Sequence, residues 1–485
     1  MKKRVVIIGA GPAGLTAGLT ILQECPNEYE VFIIEKSSQV GGIAKTVTCG
    51  GQRFDLGGHR YFSKDEQIID WWKSVLPEGD FLKLCRSSKI FYRHSLIDYP
   101  LSLHRETLQS LGMKQGLKAL QSYLKAQVKP QENTSLERFF INRFGNELYE
   151  LFFRDYTKKV WGRDASLISP EWGYQRVRGL SIASVLRNAL MGKEAKHREI
   201  SLTDYFYYPK YGSGYLWEQV SERISSLGGK ILLNEKVCGI ERDNRKVQAV
   251  RLSSEKVIPV DYCLSSMPIN DLIKSISDVP ERISAIVSEI EYRDMVIVGL
   301  MISRESIKGS LFEQNDGTMI PAQWIYIQDA NVKAGRIQIF DNWSPYLNPN
   351  RECVSLGLEY FCDFGDTLWR ATNDEWTAII ASDLRGLGFI LKEEELNLVT
   401  IQRVEKAYPC YWGGYLRINE IKQYLNRFEN LVCIGRNGQH HYNNMDHSMA
   451  TAFRSVEFLK GVSPKENVWD INTNNDYHEE KSKSS

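Results

Sequence analysis

No stretch of this 485-residue chain approaches 18 uninterrupted apolar positions, so no membrane-crossing helix is expected. An excess of charge of one sign is also missing. The 61 Lys and Arg stand against 60 Asp and Glu. That balance argues against long-range capture of nucleic acid or an anionic membrane, and leaves any anion binding to local basic clusters. Cysteine is present but unorganised, at 25, 49, 85, 238, 263, 353, 362, 410 and 433. An odd count without a Cys-x-x-Cys pair argues against a zinc site and a disulfide framework, and for free thiols in a reducing cytosol. The basic start, Lys2-Lys3-Arg4, precedes an apolar run, but Gly9, Gly11 and Pro12 break that run too early for a secretion signal. The expected location is cytoplasmic, with no nucleic-acid partner and no metal. There is no internal repeat.

The positive signals begin at once. Arg4-Val-Val-Ile-Ile8 is a β-branched run of the kind buried in a parallel sheet. A glycine turn follows, then a helix through Leu22 and a second strand at Val31–Ile34, which together make a βαβ unit. From Ser102 to about Trp161 the periodicity is helical, with a helix start at Asn133-Thr-Ser-Leu-Glu137. Strand signals return at 230–233, 247–252, 295–301, 325–327, 336–340 and 431–434, and a last helix starts near Asp446. The predicted class is α/β, a Rossmann-type domain built from discontinuous segments with a helical insert and an antiparallel sheet insert. The segments are 1–98, 201–275 and 406–462 for the dinucleotide domain, 99–200 for the helical insert and 276–405 for the sheet insert. The polar stretch 463–485 is expected to be a disordered tail.

Gly9-Ala-Gly11-Pro12-Ala13-Gly14 is a G-x-G-x-x-G element between strand and helix. Its glycines permit the tight turn, the approach of pyrophosphate and close helix packing, while the helix N-terminus faces the phosphates. Glu35 lies 21 residues after Gly14, at the end of the second strand, where a carboxylate can accept from ribose hydroxyls. NAD could use the same elements. Three further features select FAD. Val40-Gly41-Gly42-Ile-Ala-Lys45-Thr and Phe54-Asp-Leu-Gly57-Gly58-His59 resemble the glycine loops of flavoproteins of the amine-oxidase and protoporphyrinogen-oxidase type. The strand before Gly435-Arg436-Asn-Gly438 and the helix start at Asn444-Met445-Asp-His-Ser448 resemble the segment that returns to cover the flavin in those proteins.

Beyond that superfamily, the order of motifs over residues 4–460 resembles UDP-galactopyranose mutases, especially the larger eukaryotic form. The resemblance implies cofactor contacts from the residues just quoted and from Lys36 and Val237, with His59 over the isoalloxazine ring. It assigns Tyr156 and Trp161, in Tyr156-Thr-Lys-Lys-Val-Trp161, to the nucleotide site. It assigns Arg176 and Arg336 to a diphosphate clamp, Tyr408 and Tyr442 to phosphate or sugar, and Asn188 to the substrate site. Two guanidiniums suit a diphosphate through bidentate, charge-assisted hydrogen bonds. The chain departs from the family where Tyr99-Pro100 runs into Leu101-Ser102-Leu103, because the usual base-contacting amide is absent there. It is also about two residues shorter around Tyr442.

The leading expectation is a non-redox mutase that interconverts the pyranose and furanose forms of a nucleoside-diphosphate sugar. The resemblance implies a reduced flavin acting as nucleophile through N5, an electron donor such as NAD(P)H, and a role in polysaccharide biosynthesis. His59, Arg176 and Arg336 would carry catalysis. The alternative is an FAD-dependent oxidase or desaturase, which would have no use for the arginine pair, and a flavoprotein without catalysis is a third reading. A homo-oligomer is compatible with the sequence. Plain structural roles compete for the same residues: Arg176 as a surface arginine, Tyr156 and Trp161 as core, and Arg336 as an ion-pair partner. His440-His441 lacks the ligand set of a metal site.

Overall fold

A computed structural model describes residues 2–99, 113–176, 205–390 and 396–472. Five strands form a parallel sheet in the order Leu431–Cys433, Tyr262–Ser265, Lys3–Ile8, Tyr29–Ile34, Lys230–Leu232. The central strand, with Val5, Val6 and Ile7 fully buried, is covered on both faces, as its β-branched run requires. The first helix, Pro12–Glu24, has Pro at its start, where the missing N–H costs nothing. It packs against Ser213–Ser226 and against Met445–Leu459, so the sheet and its cover are assembled from the front, middle and back of the chain.

A second sheet has seven strands, in the order Asn397–Pro409, Tyr292–Ser303, Cys353–Cys362, Arg336–Ile339, Trp324–Ile327, Ser88–Tyr92, Ser95–Asp98. Its pairings are antiparallel except between Trp324–Ile327 and Ser88–Tyr92. Two of these strands therefore come from the first 98 residues. One face is closed by the helix Asn373–Gly386, which buries Trp376, Ile380 and Leu384 against the sheet and begins on a Thr372–Glu375 capping box. The other face looks toward the parallel sheet across a cavity.

Of the helices Met113–Val128, Leu136–Phe144, Asn146–Phe152, Arg154–Trp161 and Glu171–Arg176, the last four wall that cavity and the first packs against the second and third. Ser135 caps the second by accepting from Arg138 N, so the helix starts within the stretch predicted. The polar tail is not disordered from its beginning. Lys465–Asp470 forms a 3₁₀ turn with Val468 fully buried, and Lys465 donates to the Phe428 carbonyl. One apolar side chain and one buried lysine anchor a segment whose composition reads as solvated. Residues 473–485 lie outside the described residues.

Candidate active site

The turn after the first strand is a cradle that only small residues can form. Gly9 has φ +100°, and a Cβ on Gly14 would stand 1.9 Å from the Gly9 carbonyl oxygen. Gly11 meets Gly42, whose own Cβ would approach Gly11 Cα to 3.2 Å. The backbone of the 41–42 loop therefore runs directly over the helix start. Glu35 closes the cradle: one carboxylate oxygen accepts from Ala10 N at 2.8 Å and the other from Ser37 N at 2.9 Å. No acidic residue occupies the first turn of the helix, so its dipole is free for an anion. These are the requirements of a dinucleotide diphosphate, and the residues present fit FAD. Pro12 and Ala13 form the first turn of that helix, and a Cβ on Gly435 would meet Ala13 Cβ at 2.9 Å. The C-terminal segment thus touches the cradle itself. Lys45 is half-buried beside Gly41, and burial lowers its pKa against the opposing pull of Glu35. Val237 begins the hairpin strand next to the parallel sheet and is buried. Lys36 instead points outward, paired with Glu405 at 3.2 Å on an exposed surface.

Beyond the cradle lies a cavity of about 340 Å³, lined among others by Gly57, Gly58, His59, Tyr156, Trp161, Arg336, Tyr408, Arg436, Tyr442, Asn444 and Met445. The fold thus brings together side chains from both halves of the expected site. His59 Nε2 lies 3.2 Å from the Leu56 carbonyl oxygen. Burial, then the nearby Arg436 charge, pushes its pKa down to about 4, so the ring is neutral at physiological pH. Asn444 opens the last helix, its N–H donating to His447 Nδ1 at 3.1 Å, and the Ser448 hydroxyl donates back to the Asn444 carbonyl at 3.0 Å.

Arg336 is the centre of the polar wall. Nη2 donates to the Tyr408 hydroxyl at 2.6 Å and lies 2.5 Å from Glu359 Oε2, with Glu359 almost wholly buried. Gln338 Nε2 donates to the other Glu359 oxygen at 2.7 Å. Tyr408 stacks on Tyr442 with ring centroids 5.4 Å apart, and Arg436 lies over Tyr442 at 4.7 Å while donating to the Asn443 and Ala407 carbonyls. Trp161 is 2% exposed and packs edge-on against Trp172, Tyr408 and Trp412, so it belongs to the core while one edge borders the cavity. Tyr156 meets Tyr326 edge-on at 6.0 Å. Arg176 ends the helix Glu171–Arg176, but its side chain, and the whole of Asn188, lie outside the described residues.

Several residues in or behind the cavity wall are not singled out by the sequence. Glu359 neutralises Arg336, and its signal was an acid inside an otherwise apolar strand, Cys353–Cys362, where a carboxylate survives only with a partner. Trp324 packs on Gly58, whose Cβ would sit 2.2 Å from the indole, and Arg60 lies over the same indole at 4.2 Å. Tyr326, Tyr99 and Gln328 line the cavity farther along. Among the described residues no group of three or more His, Cys, Asp or Glu could hold a metal ion.

Comparison with known proteins agrees with the cradle. A crystal structure of reduced UDP-galactopyranose mutase superposes with a TM-score of 0.82 at 21% identity, covering 98% of this chain and 100% of that one. Putrescine oxidase bound to putrescine superposes with a TM-score of 0.60 at 17% identity, covering 94% and 99%. At these identities the likeness is one of fold. In sequence, the coproporphyrinogen III oxidase of Staphylococcus aureus is 27% identical over 35% of this chain and 38% of its own length. A Klebsiella pneumoniae protein named "Probable UDP-galactopyranose mutase" is 26% identical over 34% of this chain and 42% of its own. The chain thus matches about two fifths of the length of these relatives. The family model for flavin containing amine oxidoreductases matches residues 12–387, from the first helix of the cradle to the end of the helix Asn373–Gly386 that covers the second sheet. With the flavin that this family uses suited to the glycine turn, Glu35 and the 41–42 loop, the chain belongs to the flavin-containing amine oxidoreductases.

Proposed function

We propose that the protein is an FAD-dependent mutase that interconverts the pyranose and furanose forms of a nucleoside-diphosphate sugar. The observation that carries this reading is Arg336, a guanidinium held by Glu359 and Tyr408 on the wall of the cavity that His59 and the Gly57-Gly58 turn also line. An apolar or amine substrate has no need of a fixed cation there, whereas a departing diphosphate does. When bound and reduced, the flavin supplies the nucleophile.

The chain's residues perform the remaining work. Arg336 offers its charge and N–H groups to the leaving diphosphate, and Glu359 and Tyr408 anchor the guanidinium through its Nη2. Tyr408 and Tyr442 offer hydroxyls to phosphate or sugar, and Arg176 supplies the second arm of the clamp. Neutral His59 can accept or donate a hydrogen bond beside the flavin without adding positive charge. The aromatic walls exclude water and hold the sugar. The 0.82 superposition on a mutase supports the same reading at the level of architecture.

A second reading, an oxidase or desaturase, is favoured by the family model and by the oxidase relative. One experiment separates the two. Dithionite-reduced holoenzyme is mixed with UDP-galactose and other sugar nucleotides, and products are resolved by chromatography and NMR. A ring-contracted sugar nucleotide with no net oxidation is expected. Turnover only with oxidised flavin, consuming oxygen or another acceptor, refutes the mutase.

A further inference from the structure

The strand Trp324–Ile327 and the residue after it present alternate side chains to the cavity. Trp324, Tyr326 and Gln328 line it, whereas Ile325 and Ile327 are fully buried in the core under Trp376 on the opposite face. These three residues form a ruler that starts at the flavin end. Trp324 packs on Gly58. Tyr326 lies directly opposite Arg336 in the sheet, so the two side chains project to the same face. Gln328 lies two residues farther, about 7 Å along the strand direction at ~3.3 Å per residue. Its N–H donates to the Phe91 carbonyl at 3.0 Å, which extends the ladder and fixes the backbone.

The far end of the ruler is aromatic. Tyr99 meets Tyr326 at 4.9 Å, Tyr156 meets it edge-on, and Ile90 and Phe152 close the floor. Within this apolar end Gln328 places a carboxamide that has no side-chain hydrogen-bond partner among the described residues. A carboxamide carries a donor pair and an acceptor side by side, which matches the paired donor and acceptor on the edge of a nucleobase. Aromatic faces with a polar group at the edge are what an unpaired base requires.

We infer that Gln328 is a specificity-determining residue that reads the edge of the nucleobase of the sugar nucleotide, with the base lying against Tyr326 and its aromatic neighbours. The inference rests on the mutase reading, because it takes the diphosphate to lie at Arg336.

The test is calorimetry on FAD-loaded protein with UDP, dTDP, CDP, ADP, GDP and inorganic pyrophosphate. Wild type is expected to prefer one or two bases by about tenfold or more. In Gln328→Ala the preferred nucleotide should bind about tenfold more weakly, the base ranking should flatten, and pyrophosphate affinity should stay unchanged. Gln328→Glu, which keeps the size but replaces a donor with an acceptor, should reorder the ranking. Unchanged flavin absorbance shows that either variant has folded. If both variants keep the wild-type affinity and ranking, Gln328 does not read the base, and the mutase reading stands. If wild type binds pyrophosphate but no nucleotide more tightly, this inference and the mutase reading fall together.

Discussion

At the residue scale, the polar wall turns on one buried pair. Arg336 and Glu359 hold each other at 2.5 Å with Glu359 1% exposed, and removing one member of such a pair strands the other. Glu359→Gln should lower unfolding free energy by about 3 kcal/mol, measured by chemical denaturation. Pyrophosphate should then restore more stability to the variant than to wild type, because its charge replaces the missing carboxylate. Equal gains in both would mean that Arg336 does not meet the anion. The pair also marks a limit of reading from sequence. Arg336 is visible in the sequence as a motif arginine, with a structural and a functional role as alternatives. The structure gives it the ion pair with Glu359 and places it on the cavity wall, where the proposed clamp needs it. Glu359 is not legible as its partner, because a pattern of strand residues says nothing about which distant arginine will lie opposite.

At the scale of elements, the loop between the strands Trp324–Ile327 and Arg336–Ile339 is held from both sides by buried charge. Lys159 Nζ donates to the carbonyls of Val332 at 2.8 Å, Asp329 at 2.9 Å and Ile327 at 3.0 Å. Asp383 accepts from Lys333 N and Ala334 N, both at 2.8 Å. Lys159 therefore points to this loop rather than into the cavity, and ties the helix carrying Tyr156 and Trp161 to the loop that leads into Arg336. Lys159→Met should leave several carbonyls without a donor, cost about 1–3 kcal/mol, and raise amide hydrogen exchange across residues 328–335. Protection of that loop as in wild type would show that the tie is dispensable. Elements with obligatory local chemistry were legible: the first strand, the glycine turn, its helix and the helix start at Ser135. Strands such as Asn397–Pro409 were not, because they are half-buried and interspersed with charge, and their partners lie a hundred residues away. The placement of Ser88–Tyr92 in the second sheet was hidden for the same reason, being a decision of topology rather than of local sequence.

At the scale of the whole molecule, buried histidines couple stability to acidity. Burial holds His440 at about 4, and burial followed by the Lys422 charge holds His441 at about 3, against an ordinary 6.5. His59 behaves in the same way. The folded state keeps these rings neutral, so their contribution is whole above about 6.5 and is lost as pH falls toward 4. His440→Asn removes one such ring while tolerating the positive φ of 48° at that position. Its thermal midpoint should therefore fall less steeply than that of wild type between pH 6.5 and 4. Parallel slopes would show that His440 has the same pKa in the folded and unfolded chain. Asp55, which burial raises to about 6, acts in the opposite sense but is common to both proteins and cancels in the comparison. The parallel sheet has a further consequence, for biosynthesis. Its strand Leu431–Cys433 and the helix Met445–Leu459 that covers the first helix are among the last described parts of the chain to be translated. While the ribosome is still at work, the strand Tyr262–Ser265 has an open edge and the glycine cradle has no lid. A chain stalled before Leu431 therefore lacks both the strand that closes this edge and the helix that covers the cradle, and its unpaired edge is open to non-native pairing.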